Sequence, residues 1–158
     1  PPNGPRSLPM QRMRAIDHYL GIPVCWVLGV LALASRRIRG PRSMRQRPRT
    51  VLIMKFFGLG HVLMASPLLQ AVRQNFPDSR LVFLTFDSTA ALARRQNLAD
   101  EVREIRTSGI VDFVVDVVRQ AVRFQTEHVD VVLDLEFFSK FSTMMSILTR
   151  SPVRVGYY

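Results

Sequence analysis

A chain of 158 residues, 47% of them hydrophobic, holds enough apolar side chain for one ordinary core and too little length for a second full domain. The formal charge of +10 is unevenly placed: residues 1–50 carry ten arginines against Asp17 alone, whereas residues 51–158 carry twelve Lys/Arg against eleven Asp/Glu. The domain itself is thus close to neutral, which argues against a nucleic-acid binder, whose positive stripe belongs on the folded surface.

The first segment, 1–49, reads as a basic linker around an apolar helix over about 16–38. Residues 19–34 are apolar throughout, with Arg12 and Arg14 before them and Arg36, Arg37, Arg39, Arg42 and Arg45 after them. Sixteen residues are marginal for a span, which takes about twenty. A signal peptide is one reading, since Ala32-Leu33-Ala34 has the form of a cleavage site, but arginines directly after it resist export. A monotopic anchor suits basic charge on both flanks, because each arginine near anionic headgroups contributes about 1 kcal/mol. A helix docked on its own protein is the third. Cys25 has no second cysteine, so no intrachain disulfide forms and a reducing compartment is favoured. The chain lacks an initial Met and ends on an apolar strand, so it reads as part of something longer.

From residue 50 the pattern changes. Residues 50–56 form a short apolar run suited to a strand buried on both faces. Val62, Ala65, Leu69, Val72 and Phe76 then recur three or four apart, one face of a helix. Pro67 either kinks that helix or restarts it, with Ser66 as N-cap. Strands follow at 80–86, 102–106, 129–135 and 153–157, the one at 102–106, of alternating character, being more exposed. Helices are expected at 88–95, 111–127 and 138–149; in 111–127 the spacing of Val114, Val117, Val118, Ala121 and Phe124 decides for helix over strand. Strands alternating with helices predict an α/β domain over 50–158, a Rossmann-like parallel sheet with helices on both faces. Ligands in such sheets bind beyond the carboxyl ends of the strands, where strand order reverses, and the first strand borders that point.

The loop Phe56-Phe57-Gly58-Leu59-Gly60-His61 lies there. Gly58 and Gly60 allow a sharp turn and close backbone approach, and a following helix N-terminus favours a phosphate or a developing oxyanion. Tight strand-to-helix turns also need glycine for steric reasons alone. His61, near that helix start, is disfavoured in its charged form and so suits a general base; it can equally be a turn cap. Asp134 and Glu136 end the fourth strand, beside the first, and can reach the same crevice or be solvated strand-end acids. Lys55 can meet a phosphate or lie along the surface. Asp87, ending the second strand, stands where a ribose-binding carboxylate would, but Leu63 replaces the third small residue of a dinucleotide fingerprint. No Walker lysine follows the loop, and His18 and His128 have no ligand spacing to His61, so no metal site is expected.

The segments VLIMKFFGLGHVLMASPLLQAVRQNFPDSRLVFLT, VDVVLDLEFF and VRVGYY together resemble the start of glycosyltransferase family 9, the ADP-heptose:lipopolysaccharide heptosyltransferases, over nearly all of residues 50–158. The resemblance implies the N-terminal half of a GT-B fold, in which two Rossmann-like domains face across a cleft. The first holds the acceptor and the second the nucleotide-sugar. It implies inverting, metal-independent transfer of a heptose or related sugar at the cytoplasmic face of the inner membrane, by a peripheral or monotopic protein. No cofactor is implied beyond an ADP-linked donor, bound by a C-terminal domain absent here, so this half alone is expected to be inactive. The partners implied are a lipid-linked glycan acceptor, the donor and the anionic membrane surface, with no nucleic acid. Lys55, Phe57, Gly58, Gly60, Asp134 and Glu136 would meet the acceptor. The family carries Gly-Asp in the turn, the Asp being the presumed base, and this chain has Gly60-His61; His61 therefore stands as the base candidate. A nicotinamide- or flavin-dependent Rossmann enzyme and a non-enzymatic membrane-docked module are the rival readings.

Overall fold

Strand-forming runs of Val, Leu, Ile and Phe alternate with helical segments, and among the described residues they form four βα units and a fifth strand. A computed structural model describes residues 47–97, 99–137 and 139–157. The apolar helix expected over about 16–38, Cys25 and the linkers up to residue 46 lie outside the described residues. The elements are β1 (Thr50–Met54), α1 (Leu59–Met64), α2 (Ser66–Asn75), β2 (Arg80–Phe86), α3 (Asp87–Gln96), β3 (Glu101–Ile105), α4 (Ile110–Glu127), β4 (Val131–Phe137), α5 (Lys140–Leu148) and β5 (Val153–Tyr157). Among the described residues no helix is long and apolar enough to cross a membrane.

All strand pairs are parallel, in the order β3-β2-β1-β4-β5. The chain moves outward from β1 to β3, then crosses back through α4 to place β4 on the free side of β1. Strand order therefore reverses between β1 and β4, and the loop after β1 opens at that reversal. The expected parallel α/β sheet is what the structure contains.

Alternation along the strands builds two cores. Leu52, Met54, Val82, Leu84 and Val132 face one way and meet Phe124 of α4 and Met145 of α5. Val51, Ile53, Leu81 and Phe83 face the other way and meet Val62 of α1, Leu69 and Val72 of α2 and Ala93 of α3. At about 1.5–3 kcal/mol for each fully buried large aliphatic or aromatic side chain, this double burial is the main force holding the sheet.

Several boundaries depart from the sequence reading. Pro67 restarts the helix rather than kinking it, but Ala65 is the N-cap, and the Ser66 hydroxyl donates back to the Leu63 carbonyl at 2.7 Å. On α4 the inward face is Phe113, Val117, Ala121 and Phe124, with Asp116 and Gln120 also buried, whereas Val114 and Val118 lie exposed. Asp116 is drawn inward because its carboxylate receives the Arg106 guanidinium at 2.8 and 3.0 Å and the Arg106 backbone N–H at 3.1 Å. β4 begins and ends two residues later than expected, which puts Asp134 and Glu136 inside the strand.

A clamped glycine loop as the candidate functional site

The site begins with how the loop after β1 is held. Lys55 N–H continues the ladder by donating to Leu84 O at 3.1 Å. Phe56 turns inward and is buried, its ring 4.9 Å from those of both Phe86 and Phe141. Phe57 turns outward and stands edge-on to Phe86 at 5.2 Å, half exposed. The backbone N–H groups of Phe56 and Phe57 both donate to Glu136 Oε1 at 2.8 Å. Lys55 Nζ reaches the same oxygen at 3.1 Å and the Leu135 carbonyl at 3.1 Å.

One carboxylate oxygen of β4 therefore gathers two loop N–H groups and a buried ammonium. Charge-assisted bonds of this kind are stronger than neutral ones, and burial leaves little water to compete. They fix the segment that leads into Gly58, whose φ of +84° is a conformation glycine adopts without Cβ strain. A Cβ there would overlap the His61 Nδ1 atom, so the imidazole packs against the bare face of Gly58. Gly60, by contrast, has open space where its Cβ would be.

Burial corrects three expectations. Lys55, Asp134 and Glu136 keep only 4%, 2% and 5% of their surface exposed, so none is a solvated strand-end group and Lys55 is not a surface lysine. They sit behind the loop and hold it, while Phe57, Gly58, Gly60 and His61 form its exposed side. Asp134 Oδ1 accepts the Glu136 N–H at 3.1 Å, and Oδ2 has no hydrogen-bond partner. Burial pushes the Asp134 carboxyl above the usual carboxylate range; a hydrogen bond from Ser142 opposes this and the Glu136 charge adds to it.

The anion-binding expectation also changes. The six-residue α1 spends the N–H groups of His61 and Val62 on Gly58 O, at 3.0 and 3.2 Å. Asp87 is engaged within the chain: Oδ1 accepts from Ser88 N at 3.0 Å and Thr107 Oγ1 at 2.8 Å, and Oδ2 from Thr107 N at 3.3 Å. It ties the loop after β3 to the start of α3. A groove lined by Arg73, Asn97 and Asp100 lies at the opposite, amino-terminal end of β2 and β3, where Arg73 and Asp100 pair at 2.7 Å. Among the described residues no cluster of His, Cys, Asp and Glu has the arrangement of a metal site.

Two features escaped the sequence reading. The inward turn of Phe56 was visible only as an aromatic pair, with nothing to say which ring anchors. The second is at the far side of the clamp, where Phe137 and Tyr157 stack at 4.6 Å with 30° between ring planes.

No protein-family model matches the chain, and no curated protein matches it. Among solved structures, a glycosyl transferase family 9 protein from Veillonella parvula DSM 2008 is similar, with a TM-score of 0.59 and 16% identity, covering 72% of this chain and 33% of that one. The chain thus spans about a third of that structure's length. At this identity the likeness establishes fold: a Rossmann-like parallel α/β domain of the kind found in a family 9 glycosyltransferase structure.

Proposed function

We propose that this chain is the acceptor-binding half of a glycosyltransferase that moves a heptose or related sugar from an ADP-linked donor to a lipopolysaccharide core or other envelope glycan. The observation that carries the reading is the clamped loop: a glycine turn, immobilised from behind, presents an exposed imidazole at the reversal point of a sheet like that of a family 9 structure. Rigid positioning of a base is what transfer chemistry needs, because a preorganised geometry removes entropy from the barrier.

In this mechanism His61 takes the proton from an acceptor hydroxyl as that oxygen attacks the anomeric carbon. The new C–O bond forms, the anomeric C–O bond to the diphosphate breaks with inversion, and the nucleoside diphosphate leaves with the electron pair. Since Nδ1 lies against Gly58, this mechanism assigns the proton transfer to Nε2. Lys55, Asp134 and Glu136 act on the acceptor through the loop, and Phe57 and the two glycines shape the contact surface. The nicotinamide reading is less well supported, since both Asp87 oxygens are already taken.

The test is transfer by the protein that joins this chain to a donor-binding domain, assayed with ADP-heptose and with other nucleotide-sugars on a delipidated core acceptor. His61→Ala is expected to lower kcat by about 10²–10⁴ with the donor KM little changed, the range for loss of a positioned general base. Unchanged turnover removes His61 from catalysis. The same reading places the protein at the cytoplasmic face of the inner membrane, where the arginine-rich residues 1–50 meet anionic headgroups.

A further inference from the structure

Beyond the loop, the carboxyl edge carries a second constructed feature. β4 and β5 pair in simple parallel register as far as Leu133↔Val155, and then shift so that Phe137 is opposite Tyr157. In an unshifted ladder Tyr157 would face Leu135; the two extra residues of β4 bring Phe137 there instead. Bulges of this kind re-aim side chains, and they concentrate beside functional sites. Here the result is a stacked pair of rings 4.6 Å apart, on which Phe137 and Tyr157 remain 59% and 55% exposed.

The pair is also held in place. Phe137 directly follows the clamp residue Glu136, and Lys55 Nζ lies 5.9 Å from its ring centroid. The cation beside Phe137 and the stacking of the two rings reduce the freedom that the Phe137 ring would lose when a ligand arrives. Through Lys55 and Glu136 the rings connect to the same backbone that carries Gly58 and His61.

We propose that Phe137 and Tyr157 form an aromatic platform for a pyranose ring of the acceptor glycan, an inference that rests on the acceptor-half reading above. The face of an aromatic ring is electron-rich, and the C–H face of a pyranose is weakly positive, so the two stack without displacing the sugar's hydroxyls from water. The Tyr157 phenol adds a donor and acceptor at the rim for one of those hydroxyls. A nucleobase is the competing occupant by ring chemistry. The sugar is favoured because the platform adjoins the proposed acceptor-activating loop through Lys55 and Glu136.

The experiment follows the aromatic ring resonances of the chain by NMR. One titration uses core oligosaccharide released from lipopolysaccharide, and a second uses ADP. Saturable shifts of the Tyr157 and Phe137 rings with the oligosaccharide are expected. Tyr157→Ala should weaken that binding about tenfold, and Tyr157→Trp should hold it within about twofold. Should Tyr157→Ala not fold, judged by its thermal midpoint, Phe137→Leu serves, keeping apolar bulk without the ring and giving the same expected loss. Ring shifts with ADP but not oligosaccharide overturn the platform as a sugar site, as does oligosaccharide binding that ignores both substitutions. In the latter case, shifts at His61 that persist leave the acceptor-half reading standing. Loss of oligosaccharide response at both His61 and the rings overturns both.

Discussion

Gly58 carries the sharpest constraint in the chain, since its φ of +84° and the His61 ring over its α-carbon each exclude a side chain. Gly58→Ala is expected to cost about 1–3 kcal/mol, seen as a lower thermal midpoint. In a His61→Ala background the cost should fall, because the overlap disappears and only the backbone strain remains; equal costs in both backgrounds would show that the imidazole does not press on this position. Asp134 poses an opposite case. Its folded pKa is raised, so the carboxyl favours folding below the unfolded value near 3.8, and that contribution is lost as pH rises through the folded pKa. Asp134→Asn should therefore raise the midpoint at pH 7, and the gain should vanish below pH 3.8. The importance of Gly58 was legible because glycine between a strand and a helix has few other reasons to be there. The clamp was not legible: Glu136 and the N–H groups it receives are about 80 residues apart, and nothing local marks a strand-end carboxylate as buried.

At the scale of elements, β3 illustrates how a short strand hides its role. Its alternating composition suggested exposure, yet Arg103 is 3% exposed and lies over the Phe124 ring at 5.2 Å. Its guanidinium holds Glu101 at 2.8 and 2.9 Å and Glu127, at the end of α4, at 2.7 and 2.8 Å. The Arg103 hydrogen bonds, with help from Arg80, lower the Glu101 carboxyl to about 2 from 4.5. A lowered carboxylate contributes stability above its unfolded pKa and loses it as pH falls through the folded one. Thermal midpoints of wild type and Glu101→Gln should differ fully at pH 6, converge from pH 4.5 downward and meet near pH 2. A gap that persists at pH 2 would place the effect in packing rather than charge. Helix placement was legible where period and length agreed, as in α2, whose Leu69 and Val72 face inward as expected. On α4 the helix itself and the inward packing of Val117, Ala121 and Phe124 were legible too, but valines occupy both faces, so spacing alone could not exclude Val114 and Val118 from the packed one.

Across the whole molecule, alternation of elements and the handedness of crossovers pointed to a parallel sheet with the fourth strand beside the first, and the observed order β3-β2-β1-β4-β5 has both features. The register shift that aligns Phe137 with Tyr157 did not follow, since pairing irregularities leave no mark on composition. Charge is the remaining property of this scale: ten arginines fall in residues 1–50, and the domain after them nearly balances twelve bases with eleven acids. If the membrane contact proposed for this protein is electrostatic, it belongs to the arginines. Arg36, Arg37 and Arg39 each contribute about 1 kcal/mol near an anionic surface, so replacing all three with Gln should weaken flotation on phosphatidylserine vesicles about a hundredfold. Salt should weaken it in wild type, because exposed charges more than about 8–10 Å apart are screened at physiological strength. The exposed valines of α4, with Val111, Val114 and Val118 on its outer face, offer a different contact. Val114→Glu with Val118→Glu is therefore the control. Flotation lost in this pair but kept in the arginine variant would move the contact from the basic segment to α4, and would make it apolar rather than electrostatic.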